Sequence, residues 1–171
     1  HVLETRDDGW TLVEAYNSSY GPNNSNRRGY GTTDDLIQGY VETKKLKVFT
    51  PKTEYGLLID KMTQRLYILT KGGLFATLLI STGYPTSDKP WNETPAGEFY
   101  LSSKVGDFPS GNMTCGYGMR FNCGDILHET PYILNEKYNI KDYSYTEKYL
   151  GEKASHGCVR VQRKQNEDGI N

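Results

Sequence analysis

A short segment near the C-terminus carries side chains that can do covalent chemistry together. Residues 155–160 place the Cys158 thiol two positions after His156 and two positions before Arg160. The imidazolium form of His156 and the guanidinium of Arg160 both favour the thiolate, which is the form of cysteine that attacks electrophiles. Gly157 permits a tight turn and a close approach of substrate. The segment therefore predicts a nucleophilic Cys158, because a buried structural cysteine would leave its three neighbours unexplained.

A cysteine nucleophile needs a general base, and the sequence offers three histidines, of which His1 stands at the chain end. His128 follows the apolar pair at 126–127 and is predicted to end a strand. From there it could face Cys158 across a sheet and take its proton. Lone histidines more often have structural roles, so the prediction for His128 depends on its combination with Cys158.

The strands and turns that must position these residues are predicted from short runs of β-forming residues. Runs at 57–60, 65–70, 74–81 and 98–102 predict strands, and the glycines after residue 71 predict a hairpin between the second and third. The best helix candidate is 145–150, ended by a glycine. The expected fold class is mainly β with few short helices.

The first 54 residues differ from the rest. Strand patterns at 9–13, 39–41 and 46–49 surround a polar stretch from 17 to 33. This arrangement resembles part of a bacterial SH3-like domain, although extra strands leading into the main domain fit as well. Pro51 marks a linker, since proline pushes the preceding residue to extended geometry. We expect a small β segment at 1–54 and the main domain at 55–171.

Charge and composition exclude several function classes. The net charge of −1 gives no basic field for nucleic acid, and no apolar run approaches the ~20 residues that span a bilayer. The 14 tyrosines and 18 glycines are typical of secreted β-rich domains. The chain begins with His1 and shows no signal-peptide pattern, so we expect a processed piece of an exported protein.

The three cysteines leave two alternatives open. Cys115 and Cys123 could form a disulfide and leave Cys158 as the odd thiol, but spacing alone does not establish the distance between their Cα atoms. Zinc held by these cysteines and His128 would need a spacing unlike the usual paired-cysteine sites. No metal or other cofactor is predicted.

Several motifs resemble, in the same order, those of the L,D-transpeptidase catalytic domain family (YkuD type). The resemblance covers roughly residues 55–163, and the Ser-His-Gly-Cys-x-Arg element is its most specific part. The matching segments are 80–83 (ISTG), 94–99 (TPAGEF), 117–121 (YGMRF), 124–128 (GDILH), 150–151 (LG) and 155–160 (SHGCVR). The fold implied is a β-sandwich-like catalytic domain.

The resemblance also implies roles in the reaction for single residues. Cys158 is the nucleophile, His128 the general base, and His156 supports the thiolate or the oxyanion. Backbone N–H groups around Gly157 and Cys158 face the developing oxyanion. The implied substrate-binding residues are Arg160, which holds the turn or a carboxylate, Ser155, and Tyr117 with Met119, which line the donor cleft.

The reaction implied by the resemblance is acyl transfer between peptidoglycan stem peptides at the bacterial cell wall. The thiol attacks a tetrapeptide stem, releases D-Ala and forms a thioester, which an amine of a neighbouring stem resolves into a 3→3 cross-link. Water as acceptor gives an L,D-carboxypeptidase. Carbapenems are expected to add covalently to the thiol. The alternatives are a cysteine peptidase or amidase acting on wall peptides, and a non-catalytic wall-binding module.

Three departures from the family pattern stand out. An insert rich in lysine and tyrosine at 135–149 lengthens the segment between His128 and Ser155, and we expect it to form a lid or loop over the cleft. Glu129 follows the predicted base where glycine or serine is common, which leaves the orientation of the imidazole open, and a backbone carbonyl could still provide it. The chain ends at Asn171, soon after the signature, so either the domain is cut short there or the segment that completes the family's sheet lies elsewhere.

Overall fold

The computed structural model of the chain describes residues 1–16 and 36–171. Within these ranges β-strands dominate, and helical structure is confined to three short segments. These are the 3-10 turns Thr43–Lys45 and Pro90–Asn92 and the single α-helix α1, Ser144–Glu147. The mainly β fold class with few short helices is thus confirmed. The polar stretch at 17–33 lies outside the described residues.

Three N-terminal strands form a small antiparallel sheet in the order β1-β2-β3. They are β1 (Val2–Thr5), β2 (Trp10–Tyr16) and β3 (Leu36–Glu42). The strands predicted at 9–13 and 39–41 are confirmed, but the one at 46–49 is wrong, since those residues form no strand. Val48 is fully exposed there, and the Phe49 ring packs against Tyr100 at 5.1 Å. The SH3-like assignment stays a prediction.

Seven of the strands that follow form one mixed sheet. Its strands are β4 (Gly56–Asp60), β5 (Arg65–Thr70), β6 (Gly73–Ser81), β7 (Ser103–Ser110), β8 (Met113–Arg120), β9 (Ile126–Glu129) and β12 (Val159–Val161). A separate hairpin joins β10 (Ile133–Asn135) to β11 (Ile140–Asp142). The order in the large sheet is β4-β5-β6-β12-β9-β8-β7. The C-terminal strand β12 therefore inserts between β6 and β9, antiparallel to the first and parallel to the second.

The strand predictions hold for the first half of this sheet and fail at one place. β4, β5 and β6 occupy the predicted runs, and β5 and β6 form the predicted hairpin. The strand predicted at 98–102 is wrong, because β7 begins only at Ser103. Gly97 has a φ of +129°, and the Phe99 ring packs edge-on against Phe121 at 5.6 Å. Side-chain packing thus holds this segment as a loop.

The predicted helix exists but is shorter than the pattern suggested. α1 ends at Glu147, and the chain then tightens into turns in which the N–H groups of Tyr149 and Leu150 bond to the carbonyls three residues earlier. Gly151 follows with a φ of +93°, a left-handed conformation that glycine adopts without strain. The helix predicted to run to residue 150 thus ends at Glu147 with Lys148 as its C-cap, and Gly151 ends the turns that follow rather than the helix.

The large sheet has an apolar face and a polar face near its centre. Leu66, Leu78, Ile80 and Val159 form the buried core cluster, and Leu127 packs against it. Because side chains alternate along a strand, the residues between them point the other way. Ser81, His128 and Arg160 are such residues, and the strand pairing puts them side by side. The core thus fixes the three strands that carry these polar side chains.

We expect Gly83→Ala to destabilise the domain. A Cβ at this position would overlap the carbonyl oxygen of Asn92 and lie 2.8 Å from the backbone nitrogen of Thr94, and neither backbone atom can rotate away. Overpacking of this kind costs roughly 1–3 kcal/mol. Urea unfolding measures the change, with Gly56→Ala as the matched control, since its Cβ would meet only Leu69 Cβ at 3.9 Å. Equal stability of the two variants would contradict the expectation.

Candidate active site

The parallel pairing of β9 with β12 brings the predicted nucleophile and base to one face of the sheet. Arg160 lies directly opposite His128, and Cys158 lies two residues before Arg160. Residues two apart in a strand, and cross-strand partners, share a face of the sheet. The structure therefore places Cys158, His128 and Arg160 together on the polar face, although about thirty residues separate the two segments in sequence.

His128 is buried and held in one tautomer by the backbone. Its Nδ1 lies 2.6 Å from the carbonyl oxygen of Glu129. Because a carbonyl only accepts hydrogen bonds, Nδ1 carries the proton and Nε2 is left with a free lone pair. Burial lowers the pKa of His128 to about 4, although the bond to the Glu129 carbonyl opposes this shift. The imidazole is thus neutral near pH 7 and able to take a proton.

The surroundings of Cys158 disfavour its thiolate. Burial raises the pKa of Cys158, the Asp125 carboxylate raises it further, and the Ile126 N–H, Arg160 and Arg120 act against the rise. Desolvation thus opposes the thiolate that the flanking cations favour, and the nucleophilic role of Cys158 stays a prediction.

The thiol is directed at the start of β9 rather than at the imidazole. Cys158 Sγ lies 4.0 Å from the carbonyl oxygen of Gly124, in reach of a weak S–H···O bond. Among the described residues, Cys158 contacts the Gly124 carbonyl and His128 contacts the Glu129 carbonyl. No hydrogen bond links the Cys158 and His128 side chains to each other in this part of the chain. Catalytic hydrogen bonds are often long in unliganded enzymes and tighten when substrate binds.

The turn before Cys158 is fixed by Ser155 and by the absence of a side chain at Gly157. The buried Ser155 hydroxyl donates to the Cys158 carbonyl oxygen and accepts the Gly157 N–H at 3.2 Å. Gly157 has a φ of +124°, and a Cβ there would collide with the Asp125 carboxylate. The Gly157 N–H, expected to face an oxyanion, is thus donated to Ser155, while His156 is exposed.

Thr94, which the sequence prediction did not name as a site residue, ties the turn to a neighbouring loop. Its hydroxyl is buried, accepts the Gly83 N–H at 2.8 Å and donates to the Gly157 carbonyl oxygen at 2.8 Å. Gln64 supports the same loop, because its side-chain oxygen accepts the Thr82 N–H at 2.7 Å. The Thr-Pro-Ala-Gly motif was the signal for Thr94, whereas nothing in the sequence pointed to Gln64.

A cleft of about 310 Å³ opens beside this turn. The residues lining it are Tyr84, Thr86, Asp88, Lys89, Asn92, Ala154, Ser155 and His156. The Tyr84 N–H donates to the Ser155 carbonyl oxygen at 2.9 Å, so the cleft wall is bonded to the signature segment. A larger cavity of about 540 Å³, near Trp10 in the N-terminal sheet, is lined by none of the predicted site residues.

Tyr117 and Met119, the predicted donor-cleft residues, both lie on β8 but have different surroundings. Tyr117 is 74% exposed and has a φ of +56°, which is strained for a residue with a side chain. Its N–H is donated to the Asp107 carboxylate at 3.2 Å. Met119 pairs with Leu127, a residue that packs against the core, and so lies on the face opposite His128.

The Arg160 guanidinium is available to a ligand. It is half-buried, and its side chain makes no hydrogen bond or ion pair to any residue in the described ranges. Burial lowers the pKa of Arg160 from its usual value. A partly desolvated guanidinium binds carboxylates and oxyanions strongly because it offers a planar fork of donors.

The insert at 135–149 is bonded to the body of the domain at its base. The Thr146 hydroxyl donates to the Pro131 carbonyl oxygen, and Glu147 forms ion pairs with Arg163 at 2.7 Å and Lys164 at 3.2 Å. These contacts hold α1 against the chain after β12. The expectation that the insert covers the cleft stays a prediction.

The described residues give no support for the disulfide or zinc alternatives. Cys115 is a buried free thiol, and Cys123 is an exposed one. No group of three or more His, Cys, Asp and Glu residues within 1–16 and 36–171 is placed to hold a metal ion. None of the helices in the same ranges is long and apolar enough to cross a membrane.

We expect Thr94→Val to destabilise the domain by about 1–3 kcal/mol for each of the two buried backbone groups it leaves without a partner. Those groups are the N–H of Gly83 and the carbonyl of Gly157. Urea unfolding checks this. Thr70→Val is the matched control, because its hydroxyl bonds are exposed and its loss should stay within about 0.5 kcal/mol. A Thr94→Val protein as stable as this control would refute the assigned contacts.

We expect stability to fall as the pH drops from about 6.5 toward 4. The folded pKa of His128 is depressed to about 4 by burial, so over that range the unfolded chain binds a proton that the folded chain rejects. The loss contributed by this one group is on the order of 3 kcal/mol. Urea unfolding across this pH range measures it, and His128→Gln should show a correspondingly shallower dependence. Identical pH profiles would contradict it.

The comparisons with known proteins can now be set beside this geometry. Residues 54–168, more than half of the chain, match the sequence profile of YkuD, the L,D-transpeptidase catalytic domain. None of the curated proteins compared with the chain matches it.

The solved structures similar to the chain include two L,D-transpeptidases. One is an L,D-transpeptidase from Mycobacterium smegmatis, with 17% identity and a TM-score of 0.47, and the other is the LD transpeptidase LdtMt1 in complex with imipenem, with 18% identity and a TM-score of 0.44. Each similarity covers 64% of this chain and 50% of the other, so the aligned region spans about half the length of those structures. On the strength of the profile match, the chain belongs to the YkuD family of L,D-transpeptidase catalytic domains.

Proposed function

We propose that the protein is a cysteine acyltransferase that links peptidoglycan stem peptides by 3→3 cross-links. The observation that carries the proposal is the neutral His128, whose Nδ1–H is bonded to a carbonyl and whose Nε2 is free, on the same sheet face as Cys158. A neutral base beside a neutral thiol suits general-base activation of the nucleophile. Membership of the family supports the substrate class.

The first half-reaction forms a thioester on Cys158. His128 Nε2 accepts the thiol proton as Sγ attacks the carbonyl carbon between the third stem residue and D-Ala. The C–N bond then breaks, and His128 returns the proton to the departing nitrogen, so that free D-Ala leaves. The rise in the pKa of the buried thiol means that its negative charge forms only during attack. Substrate binding must bring Sγ and Nε2 into reach before this transfer.

The second half-reaction transfers the acyl group to an amine of a neighbouring stem. The amine attacks the thioester carbonyl, gives its proton to His128, and displaces Sγ, which recovers the proton. The net products are an amide cross-link and a regenerated thiol. If water attacks instead, the product is a tripeptide stem and the activity is that of a carboxypeptidase.

Arg160 is proposed to stabilise the negative charge that develops in both steps. Its guanidinium has no carboxylate partner among the described residues, and it contributes to lowering the pKa of the Cys158 thiol. Preorganised cations in partly desolvated sites stabilise transition-state charge more than they do in water. The exposed His156 and the cleft beside it are proposed to bind the rest of a stem peptide. Such a substrate places the protein outside the cell, at the wall.

Two variants test the proposal with a synthetic tetrapeptide donor, an amine acceptor and mass detection. We expect Cys158→Ala to abolish both D-Ala release and dimer formation. We expect His128→Ala to lower the rate by about 100- to 10,000-fold, the usual contribution of a general base. A carbapenem should add once to the wild type, because a nucleophile that attacks an amide also opens a strained lactam.

Cys123→Ala is the matched control, because it removes an exposed thiol outside the proposed site. This variant should keep both the cross-linking activity and the single carbapenem adduct. Cross-linking by Cys158→Ala, or an adduct that disappears with Cys123, would refute the assigned nucleophile. Release of D-Ala without any dimer would replace the transpeptidase with the carboxypeptidase.

A further inference from the structure

The carbonyl that orients His128 belongs to Glu129, whose side chain is itself held on two sides. Its Oε1 accepts the Tyr143 hydroxyl at 2.6 Å. Its carboxylate also lies against β8 at Gly116, where a Cβ would collide with Oε2. This buried Oε2 has no hydrogen-bond partner in the described part of the chain. The hydrogen bond that the Tyr143 hydroxyl donates therefore fixes the Glu129 carboxylate.

Tyr143 is immobilised from the other side. It is 8% exposed, its ring packs against Tyr132 at 5.3 Å, and the Arg163 guanidinium lies 4.2 Å from the ring centroid. Arg163 also pairs with Glu147 of α1 at 2.7 Å. Tyr143 thus belongs to the anchored base of the insert, and it offers Glu129 a hydrogen-bond donor at a fixed position.

From these contacts we propose that Tyr143 and Glu129 are positioning residues for His128, an inference that rests on the proposed function. Tyr143 holds the Glu129 side chain, and the Glu129 carbonyl holds the Nδ1–H of His128. Nε2 thereby keeps its lone pair available for the thiol proton. Neither residue touches the substrate in this arrangement, and the insert contributes to catalysis through its base.

A purely structural role for Tyr143 makes different predictions. If its ring only packs the insert, removing the hydroxyl changes stability and leaves the imidazole as it was. If the hydroxyl acts through Glu129, its removal weakens the hydrogen bond between the Glu129 carbonyl and the Nδ1–H of His128, and a second change at Glu129 adds little. Residues that act in one chain of contacts show such non-additivity.

The test measures the carbapenem acylation rate against inhibitor concentration for Tyr143→Phe, Glu129→Ala and the double variant. We expect Tyr143→Phe to lower the maximal rate about 10- to 100-fold, as misplacement by about 1 Å does, at an unchanged half-saturating concentration. The double variant should be no slower than Glu129→Ala. Glu129→Gln should keep most of the wild-type rate, because its amide oxygen still accepts the Tyr143 hydroxyl.

A spectroscopic readout separates positioning from packing. The ¹⁵N shifts of the His128 ring should report one tautomer, with the proton on Nδ1, in the wild type and in Glu129→Gln. In Tyr143→Phe and in Glu129→Ala the proton should stay on Nδ1, because the backbone carbonyl remains, but its hydrogen bond should weaken and move the Nδ1 ¹⁵N shift away from the wild-type value. If Tyr143→Phe does not fold, the comparison of Glu129→Gln with Glu129→Ala still decides the question.

Tyr138→Phe is the matched control, since this tyrosine of the same insert is 61% exposed. Its rate and ¹⁵N shifts should equal those of the wild type. Acylation of Tyr143→Phe at the wild-type rate, or strictly additive losses in the double variant, would overturn the positioning role alone. A wild type that no carbapenem acylates would overturn the proposed function and this inference with it.

Discussion

The pairing of a three-residue strand with β9 determines whether this domain has a site at all. β12 enters the sheet between β6 and β9, and its parallel register sets Arg160 against His128. Val159 and Val161 lie on the other face, where they contribute to or pack against the hydrophobic core. Burial of those two side chains therefore secures the register on which the polar face depends. A slip by one residue would send Cys158 and Arg160 into the core.

The electrostatics of the site favour a resting state without charge on the reacting pair. Desolvation works in opposite directions on the two groups, since it raises the pKa of the Cys158 thiol and lowers that of the His128 imidazole. Both effects disfavour the ion pair that the neighbouring cations of the signature suggest. A neutral thiol is the less reactive form of cysteine, so in the proposed mechanism the thiolate forms only when a substrate engages His128. In that mechanism the neutral thiol also limits side reactions before substrate binds.

The sequence was most informative where a role follows from residue type and local spacing. Cys158, His128 and the glycine turn before Cys158 could be proposed from the sequence because the chemistry needs those residue types close together, and their roles stay predictions. The contact between Thr94 and Gly157 could not, since it joins loops that lie 63 residues apart and depends on the fold. The rise in the pKa of Cys158 could not be foreseen either, because the flanking cations are visible in the sequence whereas burial is not. The loop at 98–102 was mistaken for a strand because packing, not propensity, shapes it.

Tyr117 combines a strained backbone conformation with an exposed side chain. Its left-handed backbone costs of the order of 1 kcal/mol, and glycine in its place would remove that penalty. Because the ring lies mostly in solvent, its packing contributes little to the stability of the folded chain. The Asp107 carboxylate nevertheless holds the backbone in this conformation. The strained backbone therefore presents a flat aromatic ring to solvent, available for contact with another molecule.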